Sequence, residues 1–340
     1  MRRAFLRGAP AAVLIALTAL AAACGEKSED VGASPERRQL DVTLDWFPNP
    51  DHVAIFEAQN QGYFRDVGLD VRTHVPSDPS APIKQAAAGR TDVAISYEPE
   101  VLLAREQGLP VVAVAALVQR PLTSLMATAK SGVRSVRDLR GKRVGTAGIP
   151  YQSAYLRTIL ERANVPVSSV KETNVGASLL PAMLSGRVDA TLGAFWNVEG
   201  VELRQRRQRP WIEPVDRLRV PAYDELVLVA GEDAVDERRD DLRLFISAVA
   251  RGARQARKDQ ATATRNLIDN NGDLRPRTTR ESVRLTIPTL FPEDRERPFG
   301  YLDPVAWRNY GGWMVDNGLL EELPDVDAAL TNDLLPGEGL

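Results

Sequence analysis

Strand-like and helix-like hydrophobic patterns alternate along most of the chain. Leu40, Val42 and Leu44 alternate with polar residues, which predicts a strand over Leu40–Leu44. Further strands are predicted over Val67–His74, Val93–Ser96, Val111–Val118, Val170–Val175, Ala190–Ala194 and within Tyr223–Ala230, and another ends the Asp138–Gly145 stretch. The wholly apolar Val111–Val118 reads as a strand buried on both faces. Helices are predicted between them over Asp51–Gln61, Pro82–Ala88, Pro99–Gln107, Tyr151–Ala163 and Leu179–Leu184, several followed by a terminating glycine such as Gly62, Gly89 or Gly108. Asn49 before Pro50 has the form of a helix N-cap followed by proline in the first turn. Asp240–Asp259 predicts a long amphipathic helix. The C-terminal part, with Trp307, Tyr310 and Trp313, is expected to be helical and to pack on the first lobe. This alternation predicts an α/β fold built on parallel strands.

About 300 residues follow Leu40, enough for two lobes with separate cores. The chain is expected to cross between them near Leu122–Ala129 and to return at Tyr223–Ala230. Lobe 1 is then 40–124 with 228–340, and lobe 2 is 125–227. An internal echo supports two related units: Ala88-Gly89-Arg90-Thr91-Asp92-Val93 matches Ser185-Gly186-Arg187-Val188-Asp189-Ala190, each between a short helix and a strand. In open α/β sheets ligands bind beyond the carboxyl ends of the strands, so the loops at those ends are the candidate site.

The N-terminal residues change the picture of where the chain works. A basic start, an apolar run from Ala11 to Ala23 and then Cys24 predict a secretory signal peptide over 1–23. Ala21-Ala22-Ala23-Cys24 looks like a lipobox whose cysteine becomes the acylated N-terminus, followed by a polar tether over 24–39. Arg2-Arg3-Ala4-Phe5-Leu6 also resembles a twin-arginine motif, which leaves the export route open. Cys24 is the sole cysteine, so it has no disulfide partner, and lipidation is the role expected of it. The expected location is extracytoplasmic, anchored to the membrane by lipid.

A net charge of −3 provides no basic footprint for nucleic acid. With one cysteine and two histidines, His52 and His74, neither a metal site nor a catalytic triad is expected, and no cofactor. Three loops carry candidate ligand chemistry. Trp46 and Asn49 follow the first strand, where they would stack on and hydrogen-bond a flat heterocycle; the blander roles are core packing and a helix cap. Ser96, Tyr97 and Glu98 follow the third strand. Trp196 and Glu199 stand at the matching edge of lobe 2, to close the second face of a ring and to accept from an exocyclic amine. Gly148 and Tyr151 lie in a turn resembling an anion nest at a helix N-terminus, and Tyr223 lies near the return crossing.

Leu44-Asp45-Trp46-Phe47-Pro48-Asn49-Pro50-Asp51-His52, Gln61–Asp70 and Ala87-Ala88-Gly89-Arg90-Thr91-Asp92 together resemble the thiamine-pyrimidine family, over roughly Leu40 to Ala250. That family joins bacterial ABC-importer binding proteins for thiamine precursors to fungal thiamine-pyrimidine synthases. The resemblance implies a two-lobed periplasmic-binding-protein fold of type II with a hinge-closing cleft. It also implies a formylaminopyrimidine or hydroxymethylpyrimidine ligand, and an ABC permease and ATPase as partners. Related branches bind riboflavin, sulfonates or other small molecules, and an extracellular sensor would use the same cleft. The synthases use a lysine holding pyridoxal phosphate, a histidine and a cysteine-rich iron-binding motif. The matching positions here are Ser96, Glu100 and the cysteine-free Pro221–Glu225, which argues for binding rather than catalysis.

Overall fold

The structure is a computed structural model that describes residues 37–337. Cys24, the signal peptide and most of the expected tether lie outside the described residues. The first strand begins at Arg38, earlier than Leu40, because the backbone of Arg38 and Gln39 already pairs in register with Leu69 and Asp70.

Among the described residues ten strands form two five-stranded sheets: β1 Arg38–Thr43, β2 Leu69–His74, β3 Val93–Ser96, β4 Val111–Val118, β5 Thr123–Ala127, β6 Arg143–Thr146, β7 Lys171–Asn174, β8 Ala190–Phe195, β9 Trp211–Pro214 and β10 Leu226–Gly231. Their orders, β2-β1-β3-β10-β4 and β7-β6-β8-β5-β9, are the same pattern used twice. In each, three parallel strands are followed by an antiparallel strand, β10 or β5. The chain leaves the first sheet after Val118 and returns to it at Leu226. The expected boundaries at 124/125 and 227/228 fall inside β5 and β10, because the change of sheet occurs in the segments before those strands. The edge strand β9 has no counterpart in the predicted elements: four residues ending in proline carry too little alternation to be read as one.

The echo has a physical basis. Gly89 and Gly186 both take positive φ after a helix, a conformation that favours glycine. Asp92 accepts the Asp41 N–H at 2.7 Å, and Asp189 accepts the Arg143 N–H at 2.9 Å. Each aspartate thereby fastens the start of a parallel strand to its neighbour, once in each sheet.

The long helix Arg239–Lys258 packs its apolar stripe, including Leu242, Phe245, Ile246 and Val249, against the first sheet's helices. Phe245 stacks on Phe64 with ring centroids 5.4 Å apart. Gly252 lets this helix approach Val53–Asn60 closely: a Cβ there would stand 2.1 Å from Ala54 O and 2.9 Å from Ala58 N. Both are backbone atoms, so the helices would have to separate. Gly252→Ala is expected to cost about 1–3 kcal/mol, read as a drop of several degrees in the thermal midpoint. An unchanged midpoint would show that the pair can slide apart freely.

The C-terminal helix Pro304–Asp316 departs from its expected position on the first lobe alone. Tyr310 and Trp313 pack on Tyr155, which belongs to the helix Pro150–Arg162 of the second sheet's half, and the Tyr155 and Tyr310 hydroxyls are hydrogen-bonded. The helix therefore spans both halves.

Candidate functional site: an acid-lined cavity between the sheets

The carboxyl ends of β1, β3, β6 and β8 face a cavity of about 200 Å³. Its walls include Asp45, Trp46, Phe47, Asn49 and Asp51 after β1, and Tyr97 after β3. From the second half come Tyr151, Gln152, Phe195 and Glu199. Asn271 and Leu274 close one side from a C-terminal loop.

Asp45 is almost wholly buried and takes two donors, His52 Nε2 at 2.7 Å and the Tyr97 hydroxyl at 2.9 Å. The Asn49 backbone N–H points at His52 Nδ1, 3.3 Å away, so Nδ1 is the acceptor and Nε2 carries the proton. This neutral tautomer donates to Asp45. Burial and the Asp45 charge push the Tyr97 hydroxyl up, which keeps it a donor. Asn49 makes the expected cap, its Oδ1 accepting the Asp51 N–H at 2.8 Å, and also borders the cavity.

Asp51 is fully buried, and its carboxyl is pushed up to about 7 by that burial against a hydrogen bond from Asn197. Glu199 Oε2 accepts the Phe195 N–H at 2.8 Å, and burial raises this carboxyl too. Three carboxyl groups thus border one small space, whereas no lysine, arginine or histidine does among the described residues.

Gln152 Oε1 accepts the Ala147 N–H at 2.8 Å, and its amide lies over Gly193. A Cβ at Gly193, where φ is +115°, would stand 2.5 Å from Gln152 Nε2. A glycine inside a strand is a sign of such close approach, and that signal was present in Thr191-Leu192-Gly193-Ala194.

Of the expected site residues, Trp46, Asn49, Tyr97, Tyr151 and Glu199 border the cavity, and Ser96, Glu98, Gly148, Trp196 and Tyr223 do not. Extended backbone through Ser96 and Tyr97 alternates their side chains, whereas Glu98 opens a helix and Trp196 begins a turn. Tyr97 faces the cavity, so Ser96 turns away and its Oγ donates to Glu100 Oε2 at 2.8 Å; Glu98, in the first turn of the helix, accepts the Asp224 N–H on Oε2 at 2.7 Å. Phe195 borders the cavity, whereas Trp196, in the turn after β8, donates to Pro121 O at the first crossing at 3.1 Å. Gly148 forms a turn with φ +81° packed on the Asn174 side chain. In that turn Gln152 occupies the Ala147 N–H and Ser153 donates to Glu172. Tyr223 packs against Tyr155 and Tyr310 and donates to Glu225 at 3.1 Å.

Glu225 joins the two crossings. Its carboxylate accepts the Leu122 N–H at 2.6 Å, the Thr123 N–H at 2.8 Å and the Thr123 hydroxyl at 2.9 Å, besides Tyr223. Residues from the two passages between the sheets are thereby held by one buried side chain.

Residues 49–263 match the family described as NMT1/THI5 like. The chain belongs to that family. The formylaminopyrimidine-binding protein of Halalkalibacterium halodurans is 35% identical over 288 residues, 83% of this chain and 86% of that one. A 4-amino-5-hydroxymethyl-2-methylpyrimidine phosphate synthase of Saccharomyces cerevisiae is 22% identical over 311 residues, 87% of this chain and 88% of its own. Among solved structures, the alkanesulfonate-binding protein SsuA of Xanthomonas axonopodis pv. citri bound to MOPS superposes with a TM-score of 0.69 at 15% identity. That match covers 88% of this chain and all of the other, a likeness of fold. The fold of this family member is the two-lobed periplasmic-binding-protein fold of type II, with the cavity between the lobes.

Proposed function

We propose that this family member is the solute-binding component of an ABC importer and captures a thiamine pyrimidine precursor of the formylaminopyrimidine or hydroxymethylpyrimidine type. It acts outside the cytoplasm, anchored through a lipid on Cys24, and is a binding protein rather than an enzyme. The observation that carries this reading is the sign of the cavity: Asp45, Asp51 and Glu199 border it without a cationic side chain among the described residues. Such walls attract a ring with N–H donors and repel a sulfonate or phosphate. A volume of about 200 Å³ is below the usual 300–1,000 Å³ of drug-sized pockets and suits a single ring better than a flavin. Trp46, Tyr97 and Tyr151 offer aromatic faces, each worth about 0.5–1.5 kcal/mol beyond burial when stacked. The relative from Halalkalibacterium halodurans supports the same ligand class. Against the synthase reading, a hydroxyl at Ser96 cannot form the imine that a lysine forms.

A thermal-shift panel of formylaminopyrimidine, hydroxymethylpyrimidine, thiamine, riboflavin and an alkanesulfonate tests the assignment. A ligand at 100 times its Kd adds about 2.7 kcal/mol, a rise of several degrees. A rise with riboflavin or sulfonate alone would overturn the pyrimidine assignment. Glu199→Gln is expected to weaken aminopyrimidine binding by roughly 10- to 100-fold, the worth of a hydrogen bond to a charged group. Calorimetric titration measures it; equal weakening of every ligand would remove Glu199 as the reader of the amine.

A further inference from the structure

Beside the cavity, groups from opposite lobes meet in a closed ring of hydrogen bonds. Asn197, just after β8 in the second lobe, is fully buried. Its Nδ2 donates to Asp51 Oδ1 at 2.6 Å and to Thr286 Oγ1 at 2.6 Å. The Thr286 hydroxyl donates to the same Asp51 oxygen at 3.2 Å. Asp51 lies in the turn Pro50–His52 after β1, and Thr286 ends the helix Pro276–Thr286. Both belong to the first lobe.

This ring leaves a debt. Asp51 Oδ2 is buried and has no hydrogen-bond partner among the described residues, and Asn197 Oδ1 is in the same position. Unpaired buried polar atoms are rare and cost about 1–3 kcal/mol each, more for charged groups. Asp51 also borders the cavity, so the donor that would satisfy Oδ2 can come from a molecule held there.

We infer that Asp51 is the residue through which a bound ligand locks the lobes: Oδ2 takes an N–H of the ligand, while Oδ1 holds Asn197 across the cleft. The inference rests on the cavity being the ligand site but not on which ligand fills it. With the lobes apart, water hydrates Asp51 and Asn197. Closing without ligand strips that water and leaves Oδ2 dry; closing on a ligand with an N–H donor replaces it. Where Asp51 is ionised, a ligand presenting only acceptors would set oxygen against oxygen and leave the lock open. Burial raises the Asp51 carboxyl against the hydrogen bonds from Asn197 and Thr286, with His52 and Asp45 the charged or titratable groups that act on it. Asn197 touches Asp51 and not the ligand cavity, so it acts as a positioning residue.

The test combines ligand kinetics with small-angle X-ray scattering on the full chain, using formylaminopyrimidine as probe or whichever panel compound raises the melting midpoint. Asn197→Ala is expected to raise Kd roughly 10- to 100-fold, almost wholly through faster dissociation, and to abolish the ligand-induced decrease in radius of gyration. Asp51→Asn removes the unpaired charge and offers an amide to Asn197, so its unliganded form should scatter as a more compact particle than the unliganded parent. Asn197→Ala with parental dissociation rate, or unliganded Asp51→Asn with the parental radius, overturns the lock. Failure of formylaminopyrimidine with binding of another probe overturns only the ligand assignment. If no probe binds, the unliganded scattering of Asp51→Asn still decides. Circular dichroism verifies folding, and Asn197→Ala decides alone if Asp51→Asn does not fold.

Discussion

Glu225→Ala should lower the thermal midpoint by roughly 10 °C, the largest loss expected from any single side chain near the cleft. The substitution removes one acceptor group and strands four donors: the Leu122 and Thr123 N–H groups and the Thr123 and Tyr223 hydroxyls. Each donor left dry costs about 1–3 kcal/mol. The hydroxyls can rotate to other partners, but the two backbone groups cannot. A total of roughly 5 kcal/mol, at about 2 °C per kcal/mol for a chain of 340 residues, gives the stated shift. Glu225→Gln keeps one acceptor oxygen and should lose less. Scanning calorimetry decides: a Glu225→Ala midpoint within 2–3 °C of the parent, about the worth of 1 kcal/mol, would mean that the crossings are held by backbone packing alone.

Stability should be greatest in mildly acidic solution and fall between about pH 4 and pH 7. Asp51, Glu100 and Glu225 are buried and Asp224 is half-buried, and desolvation pushes each carboxyl up to about 7. Glu98 is pushed up by burial and by the charge of Asp224 beside it. In the unfolded chain these groups return to ordinary values near 4. Between the two limits the folded state holds more protons than the unfolded state, so stability decreases as pH rises through that window. One pKa unit is worth about 1.4 kcal/mol, so several groups moving together give an effect of several kcal/mol. Acids shifted the other way set the lower limit: Asp41 is lowered chiefly by hydrogen bonds from His74 and Gln39 against its desolvation, and Asp189 by Arg143. Their contribution is lost as pH falls through their depressed values. Thermal midpoints at pH 5 and pH 8 test the sign, and a higher midpoint at pH 8 would refute it. Glu100→Gln should flatten the curve, since the amide pairs with the Ser96 hydroxyl without titrating.

The two predictions act through the same property of this molecule, its reliance on buried carboxyl groups around the cleft and the crossings. Burial of Glu98, Glu100, Asp51 and Glu225, and partial burial of Asp224, penalise a charge that an exposed residue would hold without cost. Glu98 and Asp224 face each other behind the cleft, where Trp307 Nε1 donates to Asp224 Oδ2 at 3.0 Å.

Much of the fold was legible in the chain itself. The alternation of Leu40, Val42 and Leu44 and the apolar Val111–Val118 mark strands because side-chain direction in a strand follows sequence parity. The paired Gly-Arg-x-Asp segments announced two similar units, because a positive φ and a strand-fastening carboxylate are local demands. Asn49-Pro50 was readable as a cap for the same reason. Sequence also pointed to loops that border the cavity, since the cavity forms at the carboxyl ends of parallel strands. Which residue of each loop faces inward was another matter. Tyr97 rather than Glu98, and Phe195 rather than Trp196, border the cavity because the neighbouring lobe fixes the face of the strand that looks into the cleft. Asp45 and Asp51 stood in the motif unrecognised: an aspartate's meaning depends on what buries it. Most of all, Asp51, Asn197 and Thr286 lie 146, 89 and 235 positions apart pairwise, and no local pattern joins them. Only the tertiary fold brings one lobe's amide onto the other's carboxylate, because hydrogen bonds of that kind are made by distance in space and leave no periodic trace along the chain.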